Sequence, residues 1–209
     1  MFRWMLFVLL TVSVAFGAQA QRDFAPSAIE VSPILNGQFI PDVVVQDIDG
    51  KDVGLQSLIE GQPTVILFYR GGWCPYCNRQ MSGLIEVEQQ ILNLGFNIVA
   101  ISPDSPERLY EQRVSTNDFA VMRLSDSNLE AIEAFGLGYY VADEMVKFLR
   151  DQVGARLTTP EGDEKVVLPV PAAFVVDSTG LVLFQYVNPN YKVRIEPQLL
   201  YHAARLSKQ

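Results

Sequence analysis

The sequence predicts an α/β domain with a central mixed sheet flanked by helices. Two apolar runs, at 64–69 and 96–101, read as buried strands. Segments of helical periodicity alternate with them, which implies parallel strands joined by crossover helices. Near the end, runs at 172–176 and 181–186 flank an Asp177–Gly180 turn and precede a last helix. A terminal hairpin brings antiparallel pairing, so the sheet is mixed.

Taken in order, residues 21–37 form an extended lead-in, because Pro26 and Pro33 interrupt regular structure. The domain proper spans 38–209. Residues 43–48 predict a strand closed by an Asp49-Gly50 hairpin turn. A short helical turn follows over 55–59. Residues 64–69 form a buried strand. Residues 75–94 predict a helix with Leu84, Ile85, Val87, Ile91, Leu92 and Leu94 on its apolar side, stopped by Gly95. A strand at 96–101 leads to a helix from Pro106 to about residue 115, with Ser105 as its cap. Residues 119–124 read as a strand. A further helix opens at Asp126 or Ser127 and ends at Gly136, with Asp126 as a cap. The apolar residues Tyr139, Tyr140, Val141, Met145, Phe148 and Leu149 predict an inserted helix or lid over 139–152. Residues 158–165 form a charged loop. After the terminal hairpin, the last helix spans 195–206. Pro171 stands before a strand that reads as central, and either a cis bond or an ordinary trans proline at the strand start accounts for it.

The N-terminus reads as a secretory leader over residues 1–20. Arg3 precedes an apolar run over 4–16, and Ala18-Gln19-Ala20 offers a small-x-small cleavage site. The run is shorter than the roughly 20 residues that span a bilayer, so no stable membrane insertion is expected. Export, to a bacterial periplasm or beyond, follows from this reading. Cleavage would leave about 189 residues, the size of one domain. The formal charge of −8 would become about −9. Such an acidic chain is a poor partner for nucleic acid.

Chemistry concentrates at 68–77, Phe-Tyr-Arg-Gly-Gly-Trp-Cys-Pro-Tyr-Cys, which holds both cysteines of the chain. Their C-x-x-C spacing falls at a strand-to-helix corner. The first turn of a helix has unpaired N–H groups and the positive end of the dipole, both of which favour a thiolate. Cys74, at the helix start and more exposed, would be the nucleophile; Cys77, on the same face, would resolve. Arg70 and Arg79 could each add positive charge. Two plainer readings compete. A structural zinc site would need four ligands, and the remaining soft donor is His202 near the end of the chain. A purely structural disulfide would close so short a loop that it constrains the unfolded chain little.

These residues resemble the thioredoxin superfamily, and more closely its peroxiredoxin-like branch, the alkyl hydroperoxide reductase/thiol-specific antioxidant group. The resemblance extends to residues 47–53, to Arg123-Leu124-Ser125-Asp126 with Ala134-Phe135-Gly136-Leu137, and to 170–177 with Gly180. It covers roughly 38–206 and implies a thioredoxin-like fold. It also implies Cys74 as the peroxidatic thiol, Cys77 as its resolving partner, Trp73 before the nucleophile, and Pro171 as a cis-proline facing the dithiol. Typical members carry Pro-x-x-x-Thr/Ser-x-x-Cys; here Leu67 and Gly71 stand at the first two places. Ala172 stands where a second arginine is often found. Arg70 and the Gly71 and Gly72 N–H groups are the candidates to replace that equipment.

Two functions compete. An antioxidant thiol peroxidase would reduce a peroxide at Cys74 and be reset by an external thiol or thioredoxin-type reductant. An exported thiol–disulfide oxidoreductase would instead attack protein disulfides. Neither reading calls for a cofactor or metal, and either is compatible with a homodimer. A third reading is a redox-sensing or binding module whose 139–165 insert contacts a partner.

Overall fold

The computed structural model describes residues 24–115 and 120–208. The predicted leader, the first residues of the lead-in and Phe119 lie outside the described residues.

Residues 24–40 run along the domain with one 3-10 turn, Ala28–Glu30. They are tied down by backbone bonds such as Ile34 N–H to Phe135 O and Ile40 N–H to Gly180 O. The hairpin β1 (Val44–Gln46) and β2 (Asp52–Gly54) turns at Asp47, whose Oδ1 accepts from the Asp49 and Lys51 N–H groups. Then follow α1 (Leu55–Ile59), β3 (Thr64–Phe68), α2 (Pro75–Asn93), β4 (Asn97–Ser102), α3 (Pro106–Ser115), β5 (Met122–Ser125) and α4 (Glu130–Ala134). β6 (Gly138–Tyr140), α5 (Asp143–Val153) and β7 (Val167–Pro169) precede the hairpin β8 (Ala172–Val176) and β9 (Val182–Val187). The last helix is α6 (Pro197–Ser207).

One seven-stranded sheet has the order β2-β1-β5-β4-β3-β8-β9. β3, β4 and β5 are parallel, whereas β1 and β8 join antiparallel, so the sheet is mixed as predicted. Alternation along β3 splits the core between two faces. Ile66 and Phe68 face one side, where Phe68, Phe135 and Phe174 pack ring to ring at 4.8–6.1 Å. Val65, Leu67 and Tyr69 face α2 and α6, with Leu84, Val87 and Ile91 beneath them. This clamps the start of α2 over the end of β3.

Three expectations need correction. Tyr139 and Tyr140 are not helical: they pair with Leu168 and Val167 in a small β6–β7 ribbon, and α5 begins only at Asp143. Large aromatic side chains suit a pleated, half-buried surface, and β7 is long-range in sequence, so helical periodicity alone misled. The insert packs down in a cluster of its own, with Val146, Leu149, Val166 and Leu168 against Trp73. Second, α4 starts at Glu130 because Leu129 adopts a left-handed φ of 64°. Asp126 still caps it from upstream, accepting from the Ala131 and Ile132 N–H groups at 3.0 and 2.7 Å. Third, Pro171 is trans; no cis peptide occurs among the described residues. It stands just before β8, so its missing N–H removes no bond within that strand.

Candidate active site

The dithiol is built by the corner between β3 and α2. Tyr69 N–H donates to Ile101 O, which carries the β3–β4 pairing one residue past the strand. The chain then turns through Gly71 and Gly72. Gly71 has φ +136°, and a Cβ there would lie 2.5 Å from Trp73 Nε1 and 3.0 Å from Asp104 Oδ1. A Cβ at Gly72 would overlap the Gln112 side chain. The positive φ and close approach demand glycine at 71, whereas at 72 a Cβ would displace the end of the Gln112 side chain. Asp104, buried at the end of β4, holds the corner: its Oδ2 accepts from Gly72 N–H at 2.7 Å and Gln112 Nε2 at 2.8 Å. Asn78 Nδ2 adds a bond to Gly72 O at 2.9 Å.

Cys74 is the N-cap of α2 and Pro75 its first residue. Cys77 lies one turn on, and both cysteines are free thiols. The difference in exposure expected between the two thiols is slight: Cys74 and Cys77 are 1% and 0% exposed. The side chains above them explain this. Arg70 is itself buried, and its guanidinium lies over the rings of Tyr191 (4.3 Å) and Trp73 (5.2 Å) and against the Tyr139 hydroxyl. Tyr76 meets Tyr191 edge to face at 5.7 Å. An aromatic and guanidinium roof thus covers the sulfurs.

A second guanidinium reaches them from below the roof. Arg194 Nη2 lies 3.2 Å from Cys77 Sγ and 3.8 Å from Cys74 Sγ. The two thiols respond in opposite directions. Cys74 is lowered from an ordinary 9.0 to about 6, chiefly by the Cys77 S–H donating to its sulfur, against the opposing effect of burial, with Arg70 and Arg194 adding charge. Cys77 is pushed well up, by burial first and then by the Cys74 sulfur beside it. A pair so divided carries its negative charge on Cys74 and its proton on Cys77 at neutral pH.

Of the residues singled out from sequence, Cys74, Cys77, Arg70 and Trp73 come together. Pro171 lies opposite Tyr69 by the β3–β8 register, one residue from Arg70. Arg79 does not join them: it is exposed and rests over Tyr76 at 5.7 Å. His202 is exposed on α6. Sequence reasoning missed Arg194, Tyr191 and Asp104. Asp104 had a usable signal, since it follows a central parallel strand where α/β sheets place their sites. Arg194 and Tyr191 had none, lying in an irregular segment over 100 residues beyond the dithiol.

The AhpC/TSA family model matches residues 36–185. The chain belongs to the AhpC/TSA family. Among curated relatives, it is 25% identical over 192 residues to thiol-disulfide oxidoreductase ResA of Bacillus thuringiensis, covering 92% of this chain and 91% of that one. It is 29% identical over 108 residues to peroxiredoxin Bcp of Escherichia coli, covering 51% of this chain and 67% of that one. Its fold is similar to reduced Prx3 of Vibrio vulnificus solved with hydrogen peroxide, at TM-score 0.66 and 16% identity over 82% of this chain and 99% of that one. Peroxidoxin BcpB of Mycobacterium tuberculosis gives TM-score 0.63 and 17% identity over 83% and 95%. This AhpC/TSA chain is a thioredoxin-fold, thiol-based oxidoreductase. Among the described residues, no helix is long and apolar enough to cross a membrane.

Proposed function

We propose that the chain is a thiol peroxidase in which Cys74 is the nucleophile and Cys77 the resolving thiol. The observation that carries this is a lowered-pKa thiolate almost wholly hidden beneath Arg70, Trp73 and Tyr191. The smaller the substrate, the less of this roof must move for it to meet the sulfur, which favours a peroxide over a folded protein disulfide. Cys74 S⁻ attacks one peroxide oxygen, an S–O bond forms, and the O–O bond breaks. The departing oxygen leaves as water or alcohol after taking a proton. Cys77 then displaces the hydroxyl of the Cys74 sulfenic acid, water leaves, and a disulfide forms. An external dithiol returns the pair to the reduced state. Arg70 and Arg194 supply positive charge at Cys74, where Ala172 stands in place of the second arginine often found in such chains. Trp73 and Pro171 shape the surroundings: Trp73 roofs the sulfur and Pro171 borders the Arg70 corner.

A second reading, protein disulfide exchange, draws on the ResA relatives, of which that of Bacillus thuringiensis matches 92% of this chain. Mixing reduced chain 21–209 with hydrogen peroxide in a stopped-flow fluorimeter separates the two. Trp73 is the single tryptophan outside the leader and reports on the dithiol. A fast phase linear in peroxide and absent from Cys74→Ser supports the peroxidase. A rate no better than a free thiol removes it. Export after cleavage behind Ala20 belongs to the same proposal, and the N-terminal mass of the secreted chain tests it. The one-domain assignment of 38–209 is tested by whether that segment alone unfolds in a single transition. Sedimentation would show whether two copies pair.

A further inference from the structure

The segment between β9 and α6, residues 188–196, crosses the dithiol as a strap. Asn188 N–H donates to Pro171 O at 3.1 Å, which ties its start to the sheet beside the Arg70 corner. Asn188 and Asn190 side chains accept from the Asn190 and Lys192 N–H groups, turning the strap back on itself. Ile195, 4% exposed, anchors its far end in the core beneath α2. Arg194 is therefore held next to a fixed point. Its Nε and Nη1 are buried and find no acceptor among the described residues. Arg194 is half-buried, and burying two guanidinium nitrogens without an acceptor is costly, so stability alone does not account for its position. Its hydrogen-bonding contacts are the two sulfurs, and Cys77 is the nearer.

The two cysteines need this cation unequally. Cys74 has the helix start, the Cys77 S–H and Arg70 in its favour. Cys77 sits inside the helix, wholly buried, with burial and the Cys74 charge both set against its ionisation. The groups that face it are Cys74 and Arg194, the Arg70 backbone N–H, and the Tyr69 phenol. Arg194 is the one cationic side chain among them at hydrogen-bonding distance. Once Cys74 has reacted, its negative charge is gone and the guanidinium faces Cys77 alone.

We propose that Arg194 is the catalytic residue of the second step, stabilising the Cys77 thiolate as it attacks Cys74, with Arg70 serving the first step. This rests on the nucleophile and resolver roles assigned above, and it holds whether the intermediate is a sulfenic acid or a mixed disulfide. The test uses 4,4′-dithiodipyridine on reduced chain 21–209. Cys74 S⁻ attacks the reagent S–S bond and releases one pyridinethiol. The Cys77 thiol gives its proton to solvent, and the resulting thiolate attacks Cys74 Sγ, forming the Cys74–Cys77 bond as the bond to the pyridine sulfur breaks and a second pyridinethiol leaves. The dithiol loses two electrons and the reagent gains them. In Arg194→Gln at pH 7, the second release should slow by roughly tenfold to a hundredfold, the value of a hydrogen bond to a charged sulfur. The first should change by less than about threefold, since Arg70 and the helix start remain. The pH profile of the second release should move upward, and Arg194→Lys should recover most of the rate. Should the glutamine variant fail to fold, Arg194→Met keeps the apolar length and carries the same comparison. An unchanged second release, or equal slowing of both, overturns the proposal while leaving the dithiol reading intact. A wild-type chain that releases one pyridinethiol and no second overturns both.

Discussion

Replacing Cys77 by alanine isolates the largest influence on Cys74. The Cys77 S–H donates to the Cys74 sulfur and leads the causes that bring it to about 6 from an ordinary 9.0. A hydrogen bond to a charged group contributes about 1.5–3 kcal/mol, or roughly 1–2 pKa units. Cys77→Ala should therefore move Cys74 to about 7–8. Thiolate at pH 7 would fall from about 90% to about 10–50%. Intrinsic nucleophilicity rises with basicity at a slope of about 0.4–0.5, a gain of roughly threefold to tenfold. The two effects nearly cancel, so the rate at pH 7 should stay within about twofold, while the plateau at high pH rises severalfold. The assay is iodoacetamide alkylation from pH 5 to 10. Cys77→Ser keeps a donor and should keep the wild-type midpoint within about half a unit. A wild-type midpoint near 9, or identical midpoints in wild type and Cys77→Ala, would refute the reasoning.

Stability should also follow the dithiol. The reduced native chain gives up the Cys74 proton near pH 6, while the unfolded chain holds it to about 9. The native state binds fewer protons between these values, so stability rises with pH across that window, by on the order of 4 kcal/mol. Above it stability falls, because unfolded Cys77 ionises while burial keeps the native thiol protonated. Urea unfolding under reducing conditions should show this rise in wild type and not in Cys74→Ser. Gly71→Ala should cost about 1–3 kcal/mol, from its φ of +136° and the 2.5 Å approach to Trp73 Nε1, and should shift Trp73 emission. Unchanged emission and stability would contradict the tight corner. Asp104→Asn should lose about 1–3 kcal/mol by weakening the bonds to Gly72 and Gln112. Its alkylation midpoint should move little, because Cys77, burial, Arg70 and Arg194 are the leading influences on Cys74.

Local pattern made much of this protein legible from its sequence. The apolar run 64–68 predicted β3, Pro75 marked the helix start, and C-x-x-C spacing predicted two thiols on one face of α2. Each depends on neighbours within a turn or a strand, where periodicity and capping rules act directly. Asp126 was legible as a cap for the same reason. Tyr139 and Tyr140 were misread because their partners in β7 lie almost 30 residues away. How deeply Cys74 is buried was not legible, because Tyr191, 117 residues on, packs on Arg70 and Tyr76 beside it only in the fold. Only the tertiary structure brought Arg194 to the sulfurs and Asp104 to Gly72. A thiol at a helix start is a local property of the chain. Which thiol ionises depends on burial and on charges within a few ångströms, and only the packed fold decides those distances.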